Sequence, residues 1–257
     1  MSIKTATIDG VATIEIARPE KKNAITVAMY QAMADAIAAA GADNAVRALV
    51  ITGQPGIFTS GNDIEDFMAR PPGQGSDSMD SPVFRFMRAL VECEKPVVAA
   101  VTGAAIGIGT TLLLHCDFVY VSDEARLAMP FVGLGLVPEF ASSLLVPQLM
   151  GPARAAEKLL LGEPFTPEQA VECGIANAVL PAGEVVNHAR RIAARFNALP
   201  PGAVREAKRL MRAPQREAVL QTIRREGELF SARLRSPEAS EAFQAFFQKR
   251  KPDFSKF

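Results

Sequence analysis

The chain begins with two short segments in which apolar and polar side chains alternate. Residues 3–8 and 11–17 show this period of two, and Asp9 and Gly10 lie between them. An alternating pattern is typical of a half-buried β-strand, and an Asp-Gly pair favours the two-residue turn of a hairpin. We therefore predict an N-terminal β-hairpin.

Further along, apolar segments alternate with glycine-rich turns and helical patterns. Residues 47–52 and 97–101 are almost entirely apolar, which is typical of strands that are buried on both faces. Each is followed by a glycine turn and a helical segment, and another strand is predicted at 118–122. Strands that alternate with helices indicate an α/β fold with right-handed crossovers.

The last quarter of the chain has a helical pattern. Residues 204–234 carry Arg and Glu at helical spacing on most faces, and Ser236 with Pro237 marks the start of a final helix. That helix carries an aromatic stripe of Phe243, Phe246 and Phe247. Such a stripe packs either on the chain's own core or on a partner subunit. We predict a core at 1–199 and a C-terminal helical region at 200–257.

One carboxylate stands in largely apolar company. Glu139 follows Val137 and Pro138 and precedes Phe140. Burial disfavours the charged form of a carboxyl and raises its pKa toward the range that suits a general base. The alternative is a loop glutamate that caps a helix beginning near Ala141. Local sequence leaves both interpretations open.

Composition excludes several classes of function. The 257 residues are 49% hydrophobic and 22% charged, and 28 basic residues balance 28 acidic ones, which argues against a general polyanion binder. The Cys and His residues are too isolated for a metal site, a disulfide framework or a Ser–His–Asp triad; they are Cys93, Cys116, Cys173, His115 and His188. No signal peptide or membrane-spanning apolar run is present, so we expect a cytoplasmic protein. Residues 69–81 are rich in Pro, Gly, Ser and Asp, which predicts a surface loop or a lid.

Seven segments, in order, resemble the crotonase (enoyl-CoA hydratase/isomerase) superfamily. They read ARPEKKNAI, IFTSGNDI, KPVVAAVTGAAIGIG, CDFVYVS, LGLVPE, GEPFTPEQAVECGIAN and KRKPDF, and they cover nearly the whole chain. The resemblance implies an α/β fold in which a core of β-β-α spiral turns carries a C-terminal α-helical domain. It also implies a homotrimer or a dimer of trimers and an acyl-CoA thioester substrate, as in fatty acid metabolism. It implies no separate cofactor, because coenzyme A enters as part of the substrate.

The same resemblance assigns the binding site. It gives the oxyanion hole to the backbone N–H groups of Asn62 and Ile108, and donors aimed at a thioester enolate oxygen stabilise its developing charge. The substrate-binding residues that it implies are Ser60, Gly61, Asn62, Asp63, Ile64, Gly107 and Lys22. Lys22 and its neighbour Lys21 would lie near the nucleotide, although two lysines on a loop are often merely solvated.

The sequence departs from the hydratases of this superfamily. Those enzymes use two glutamates to place and activate water, and the corresponding positions here resemble Thr111 and Phe131. Glu139 resembles the single catalytic glutamate of the Δ3,Δ2-enoyl-CoA isomerase branch. One carboxylate suffices for a 1,3-proton shift, in which it takes a proton from C2 and returns it at C4. Our leading hypothesis is therefore an isomerase with Glu139 as base and then acid.

Two alternatives stay open. A hydratase, hydrolase or lyase would need another carboxylate, and the candidates, which we interpret as helix caps or surface positions, are Asp63, Glu65, Asp123 and Glu124. An RNA-binding homologue would use the Arg-rich stretch at 205–235, but the interspersed glutamates favour a solvated, salt-bridged helix. We therefore expect no nucleic-acid partner and no membrane partner.

Overall fold

The computed structural model describes residues 2–68 and 80–257. Within them, the chain forms nine strands: β1 (Ile3–Ile8), β2 (Val11–Ile16), β3 (Ala48–Thr52), β4 (Ile57–Thr59), β5 (Val97–Val101), β6 (Ala104–Ile106), β7 (Phe118–Ser122), β8 (Arg126–Ala128) and β9 (Ala178–Leu180). Asp9 and Gly10 both have positive φ angles, which is the turn geometry that joins two antiparallel strands tightly. The predicted hairpin is confirmed.

The strands build two sheets that the chain visits in turn. The larger sheet has the order β1-β2-β3-β5-β7-β9, and the smaller has the order β4-β6-β8. Apart from the first hairpin, all neighbouring strands are parallel. Each pass through the larger sheet at β3, β5 or β7 is followed by a strand of the smaller sheet. This repetition is the β-β-α spiral that the resemblance implied.

Ten helices in the described residues complete the fold: α1 (Val27–Ala42), α2 (Ile64–Met68), α3 (Pro82–Glu92), α4 (Ile108–Thr111), α5 (Ser142–Met150), α6 (Pro152–Leu159), α7 (Pro167–Glu172), α8 (Val185–Ala194), α9 (Pro201–Leu234) and α10 (Pro237–Phe247). Local side-chain caps begin several of them, as when the Thr26 hydroxyl accepts from the Met29 N–H and the Ser236 hydroxyl accepts from the Ala239 N–H. None of the described helices is both long and apolar enough to cross a membrane.

The larger sheet is covered on both faces. Every residue of β3 and β5 is buried, as their apolar sequences predicted. One face belongs to the main core with α1 and α3, and the other packs against Val185, Ala189 and Ala193 of α8. A sheet enclosed in this way gives the ends of its strands a rigid support.

Helix α9 is tied to the core by ion pairs. Lys208 Nζ lies 2.6 Å from Asp117 Oδ2, and Arg212 Nη2 lies 3.3 Å from Asp117 Oδ1. Part of the Arg-rich stretch therefore contacts the protein's own carboxylates, in agreement with a salt-bridged helix. The aromatic stripe of α10 is divided, because Phe243 is buried whereas Phe246 and Phe247 are exposed. The predicted loop at 69–81 lies outside the described residues except for its last two positions.

Asn23 fixes the first loop of the core. It is fully buried with a positive φ of 55°. Its Oδ1 accepts from the Arg18 N–H at 2.7 Å, and its Nδ2 donates to the carbonyls of Ile57 and Phe58 at 3.1 and 3.2 Å. These bonds attach the loop to β4, whose end leads directly to residue 62. In the sequence, Asn23 stood out only as part of the segment ARPEKKNAI.

Replacing Asn23 by Ala should destabilise the fold. Asn23→Ala leaves buried backbone groups without partners and places Ala at positive φ, so we expect a loss of about 2–4 kcal/mol in the free energy of unfolding. Urea denaturation measures it. The matched control is Lys22→Ala, because Lys22 is exposed and also has positive φ. A similar loss in both variants would contradict the role given to the Asn23 side chain.

Candidate active site

The loop after β4 leaves one backbone N–H without an acceptor. The Ile25 N–H donates to the Gly61 carbonyl at 2.8 Å, and the Asp63 N–H donates to the Ile25 carbonyl at 3.0 Å. Between them, the Asn62 N–H has no acceptor within the described residues. The Asn62 side chain is held in place, since its Oδ1 accepts from the hydroxyl of buried Tyr30.

A second such N–H lies at the start of α4. Gly107, with φ of 59° and ψ of −118°, turns the chain from β6 into the helix, and its carbonyl accepts from Thr110 and Thr111. The buried Ile108 N–H is in the first turn, where no intrahelical acceptor exists, and nothing else in the described chain accepts from it. Ile108 is buried whereas Asn62 is half-buried, and buried N–H groups without acceptors are rare. Both N–H groups are therefore available to donate to a ligand oxygen.

The two loops lie against each other because they follow adjacent strands. β4 and β6 are parallel neighbours, and a Cβ atom at Gly61 would lie 2.9 Å from the Ile106 carbonyl oxygen. With φ of 93°, Gly61 also has a backbone conformation that side chains disfavour. This close approach needs glycine, and it brings Asn62 and Ile108 to one edge of the smaller sheet.

Glu139 is buried beside these loops, with 5% of its surface exposed. The Thr111 hydroxyl donates to Glu139 Oε1 at 2.5 Å, and Thr111 lies on α4 one turn after Ile108. Glu139 and Asn62 line the same cavity, whose remaining walls are mostly apolar: Val83, Phe84 and Met87 of α3, Phe140, and Ile223, Gly227, Phe230 and Ser231 of α9. Of the two interpretations that the local sequence left open for Glu139, the structure shows the buried one.

The environment of Glu139 favours its protonated form. Burial raises the pKa of Glu139 to about 8, and the negative charge of Glu226 acts in the same direction. The hydrogen bond from Thr111 opposes both effects, because it stabilises the charged carboxylate. A carboxyl with a pKa near neutrality is able to accept and return a proton at modest cost.

The helix-capping interpretation of Glu139 is wrong. Helix α5 starts at Ser142, and its N-cap position, Ala141, offers no side-chain acceptor. The Glu139 side chain accepts from Thr111, while Glu226 of α9 accepts from the N–H groups of Ala141 and Ser143. The sequence missed Glu226 as part of the site.

The other acidic candidates have structural roles. Asp63 Oδ1 accepts from the Asp66 N–H at 3.0 Å, and Asp63 Oδ2 lies 2.6 Å from Arg18 Nη1. Burial raises the pKa of Asp63, but hydrogen bonds and the charge of Arg18 bring it below its ordinary value. Asp123 and Glu124 are exposed on a turn, and exposed Glu65 pairs with Lys21, as we expected of surface positions.

The remaining predicted positions are also located. Ser60 donates its N–H to the Lys22 carbonyl at 3.1 Å, which joins two predicted binding loops, while the Lys22 residue itself is exposed. Ile64 begins α2 after Asp63. Phe131, at one of the hydratase-like positions, is buried against Phe230. The described residues contain no cluster of three His, Cys, Asp or Glu side chains that could hold a metal ion.

Glu139→Gln should stabilise the fold at high pH. A raised pKa means that the contribution of Glu139 to stability is full below about pH 4.5 and lost as the pH rises through about 8. Glutamine does not titrate. The free energy of unfolding of the variant should therefore increase, relative to that of the wild type, by a few kcal/mol as the pH rises from about 5 to about 9. Urea denaturation at both pH values tests this, and a difference that does not vary with pH would contradict the buried charge.

Comparisons with known proteins identify the family of the chain. The family model for Enoyl-CoA hydratase/isomerase matches residues 6–256. Enoyl-CoA delta isomerase 2 from Homo sapiens is 34% identical over 94% of this chain, which spans only 62% of that relative's length. The 2,3-dehydroadipyl-CoA hydratase from Escherichia coli K12 is 28% identical over 95% of this chain and 94% of its own.

Two solved structures share the fold over nearly their entire length. OdaA from Pseudomonas aeruginosa is 55% identical with a TM-score of 0.92, covering 95% of this chain and 98% of its own. An enoyl-CoA hydratase/isomerase from Pseudoalteromonas atlantica T6c is 39% identical with a TM-score of 0.93, covering 99% and 100%. The nearly complete match to the family model, together with these relatives, establishes that the chain belongs to the enoyl-CoA hydratase/isomerase family.

Proposed function

We propose that this protein is a Δ3,Δ2-enoyl-CoA isomerase, which moves a double bond by a 1,3-proton shift through a thioester enolate. The observation that carries the proposal is one buried carboxylate in the cavity, Glu139, beside the loops whose Asn62 and Ile108 N–H groups lack acceptors. Among the described residues that line the cavity, Glu139 is the only one with a carboxyl group. The substrate class is an acyl-CoA thioester.

Each step of the proposed reaction has a group suited to it. Glu139 takes a proton from C2, and the electrons of that C–H bond form a C1=C2 bond while the π pair of the C1=O bond moves onto the thioester oxygen. In the second step the C1=O bond forms again, the C1=C2 pair becomes the C2=C3 bond, and the former C3=C4 pair takes the proton from Glu139 at C4. The intermediate places negative charge on the thioester oxygen, which the N–H groups of Asn62 and Ile108 stabilise. Because Glu139 has a pKa of about 8, it is a stronger base than an exposed carboxylate.

The surroundings of Glu139 favour isomerisation over hydration. The Thr111 hydroxyl donates to Glu139, and Phe131 is a buried aromatic side chain, so neither position supplies a second carboxylate to activate water. Apolar walls also protect an enolate from solvent protons. The relatives include proteins named as isomerases and proteins named as hydratases, and a hydratase is therefore the second candidate.

The binding of the whole substrate follows from the cavity walls. The apolar side chains of α3 and α9 next to Glu139 suit the acyl chain. We assign the nucleotide end to the Lys22 side, which is exposed.

A homotrimer or a dimer of trimers stays our expectation. It agrees with exposed apolar side chains on the C-terminal helices, namely Leu210, Met211, Phe246 and Phe247.

Glu139→Gln should abolish isomerisation and keep ligand binding. The amide fills the same space but cannot accept the C2 proton, so we expect kcat for a 3-enoyl-CoA to fall by at least about 10³-fold, with acyl-CoA affinity within about threefold. The formation of the conjugated 2-enoyl thioester measures the rate, and calorimetric titration measures binding.

The exposed Glu124→Gln is the matched control, since it makes the same chemical change outside the cavity. A parallel incubation with a 2-enoyl-CoA reports hydration. Retained isomerisation in Glu139→Gln would contradict the proposed base. Formation of a hydroxyacyl-CoA by the wild type would favour the hydratase instead.

Thr111→Val should move the pH dependence upward. Only ionised Glu139 is able to take the C2 proton, so wild-type kcat/KM should rise with pH and reach half its maximum near pH 8. The Thr111 hydrogen bond lowers the pKa of Glu139, and its loss should raise the midpoint by about one pH unit. Thr111→Ser, which keeps the hydroxyl, should retain the wild-type profile. An unchanged or lower midpoint in Thr111→Val would be inconsistent with this account.

A further inference from the structure

A second buried carboxylate lies behind Glu139, on the long C-terminal helix. Glu226 of α9 has 5% of its surface exposed. Its Oε2 accepts from the Ala141 N–H at 2.6 Å, and its Oε1 accepts from the Ser143 N–H at 2.9 Å. These N–H groups belong to the start of α5, which lacks a cap of its own. A residue more than 80 positions away therefore supplies the cap.

Glu226 binds the backbone segment directly after Glu139, and the conformation of that segment sets the direction of the Glu139 side chain. Phe140 and Ala141, directly after Glu139, both have φ of 58°, in the left-handed region that non-glycine residues disfavour. Such a conformation persists only when its surroundings impose it. His115 contributes from the other side, since its Nε2 lies 2.8 Å from the Phe140 carbonyl oxygen and its ring stacks on Phe140.

From this geometry we infer that Glu226 is a positioning residue for Glu139, acting through the left-handed turn and through its own charge. The inference rests on the proposed function of Glu139. Glu226 does not line the cavity, so its action on a substrate would be indirect. Because Glu226 belongs to α9, the geometry of the active centre depends on the packing of α9 against the core.

The negative charge of Glu226 also acts on Glu139. Two backbone N–H groups donate to Glu226 and stabilise its ionised form, whereas Glu139 accepts from one hydroxyl. Burial raises the pKa of Glu226, and its charge in turn raises the pKa of Glu139. Of the other titratable groups, His115 faces this turn, and it is neutral because burial lowers its pKa to about 4. Arg212 acts on His115 from α9.

The test is Glu226→Gln, with exposed Glu228→Gln on the same helix as the matched control. Selective ¹³C labelling of glutamate carboxyls lets NMR follow the titration of Glu139, whose signal is identified by its loss in Glu139→Gln. In Glu226→Gln we expect the Glu139 midpoint to fall by about one pH unit or more. With a 3-enoyl-CoA we expect kcat to fall about 10- to 100-fold while KM changes less than about threefold.

A merely structural role would not move the titration of Glu139. If Glu226→Gln lowers stability but leaves both the Glu139 midpoint and kcat at the values of Glu228→Gln, the inference is overturned. An unmoved midpoint overturns it even if kcat falls. If the wild-type protein is inactive on a 3-enoyl-CoA, the proposed function is wrong. The NMR titration needs no substrate, so the shift of the Glu139 midpoint in Glu226→Gln still tests the positioning role.

Discussion

The exclusion of water from one carboxylate is the constraint on which the rest of the structure depends. An ionised carboxyl in an apolar pocket is expensive, and Glu139 is tolerated there because its pKa rises to about 8 and because Thr111 donates to it. The pocket needs walls from α3 and α9, a turn that points the side chain inward and a rigid sheet beneath. The cost to stability is thus concentrated where the proposed proton transfer occurs.

The fold shows why elements far apart in sequence converge on this site. The spiral places consecutive strands of the smaller sheet side by side, so the loops that carry Asn62 and Ile108 meet at one edge. Helix α4 continues from the second loop and brings Thr111 to Glu139. The smaller sheet and α4 therefore position both the N–H groups of Asn62 and Ile108 and the carboxylate of Glu139. A ligand oxygen bound at that edge of the sheet would lie near Glu139.

Local sequence patterns predicted many of the secondary-structure elements. They did not predict features of the site that depend on contacts between residues far apart in the chain. The hairpin, the buried strands β3 and β5 and the Ser236 cap follow from periodicity and turn chemistry, which act over a few residues. The apolar neighbours of Glu139 left burial and a helix-capping loop position both open, and only the resemblance to the family favoured a functional glutamate. The sequence could not show that Glu226 caps α5, because that contact spans the chain. A signal existed, since Glu226 shares a helical face with buried Val219, Ile223 and Phe230.

The central claim is that one dry carboxylate carries a proton from C2 to C4, and label transfer tests it most directly. A 3-enoyl-CoA deuterated at C2 is converted in ordinary water, and mass spectrometry with NMR locates the label in the 2-enoyl product. The account predicts that a substantial part of the deuterium appears at C4, because Glu139 is shielded from exchange with solvent. Loss of the whole of the abstracted deuterium to water, with none at C4, would contradict a single buried carboxylate as the proton carrier.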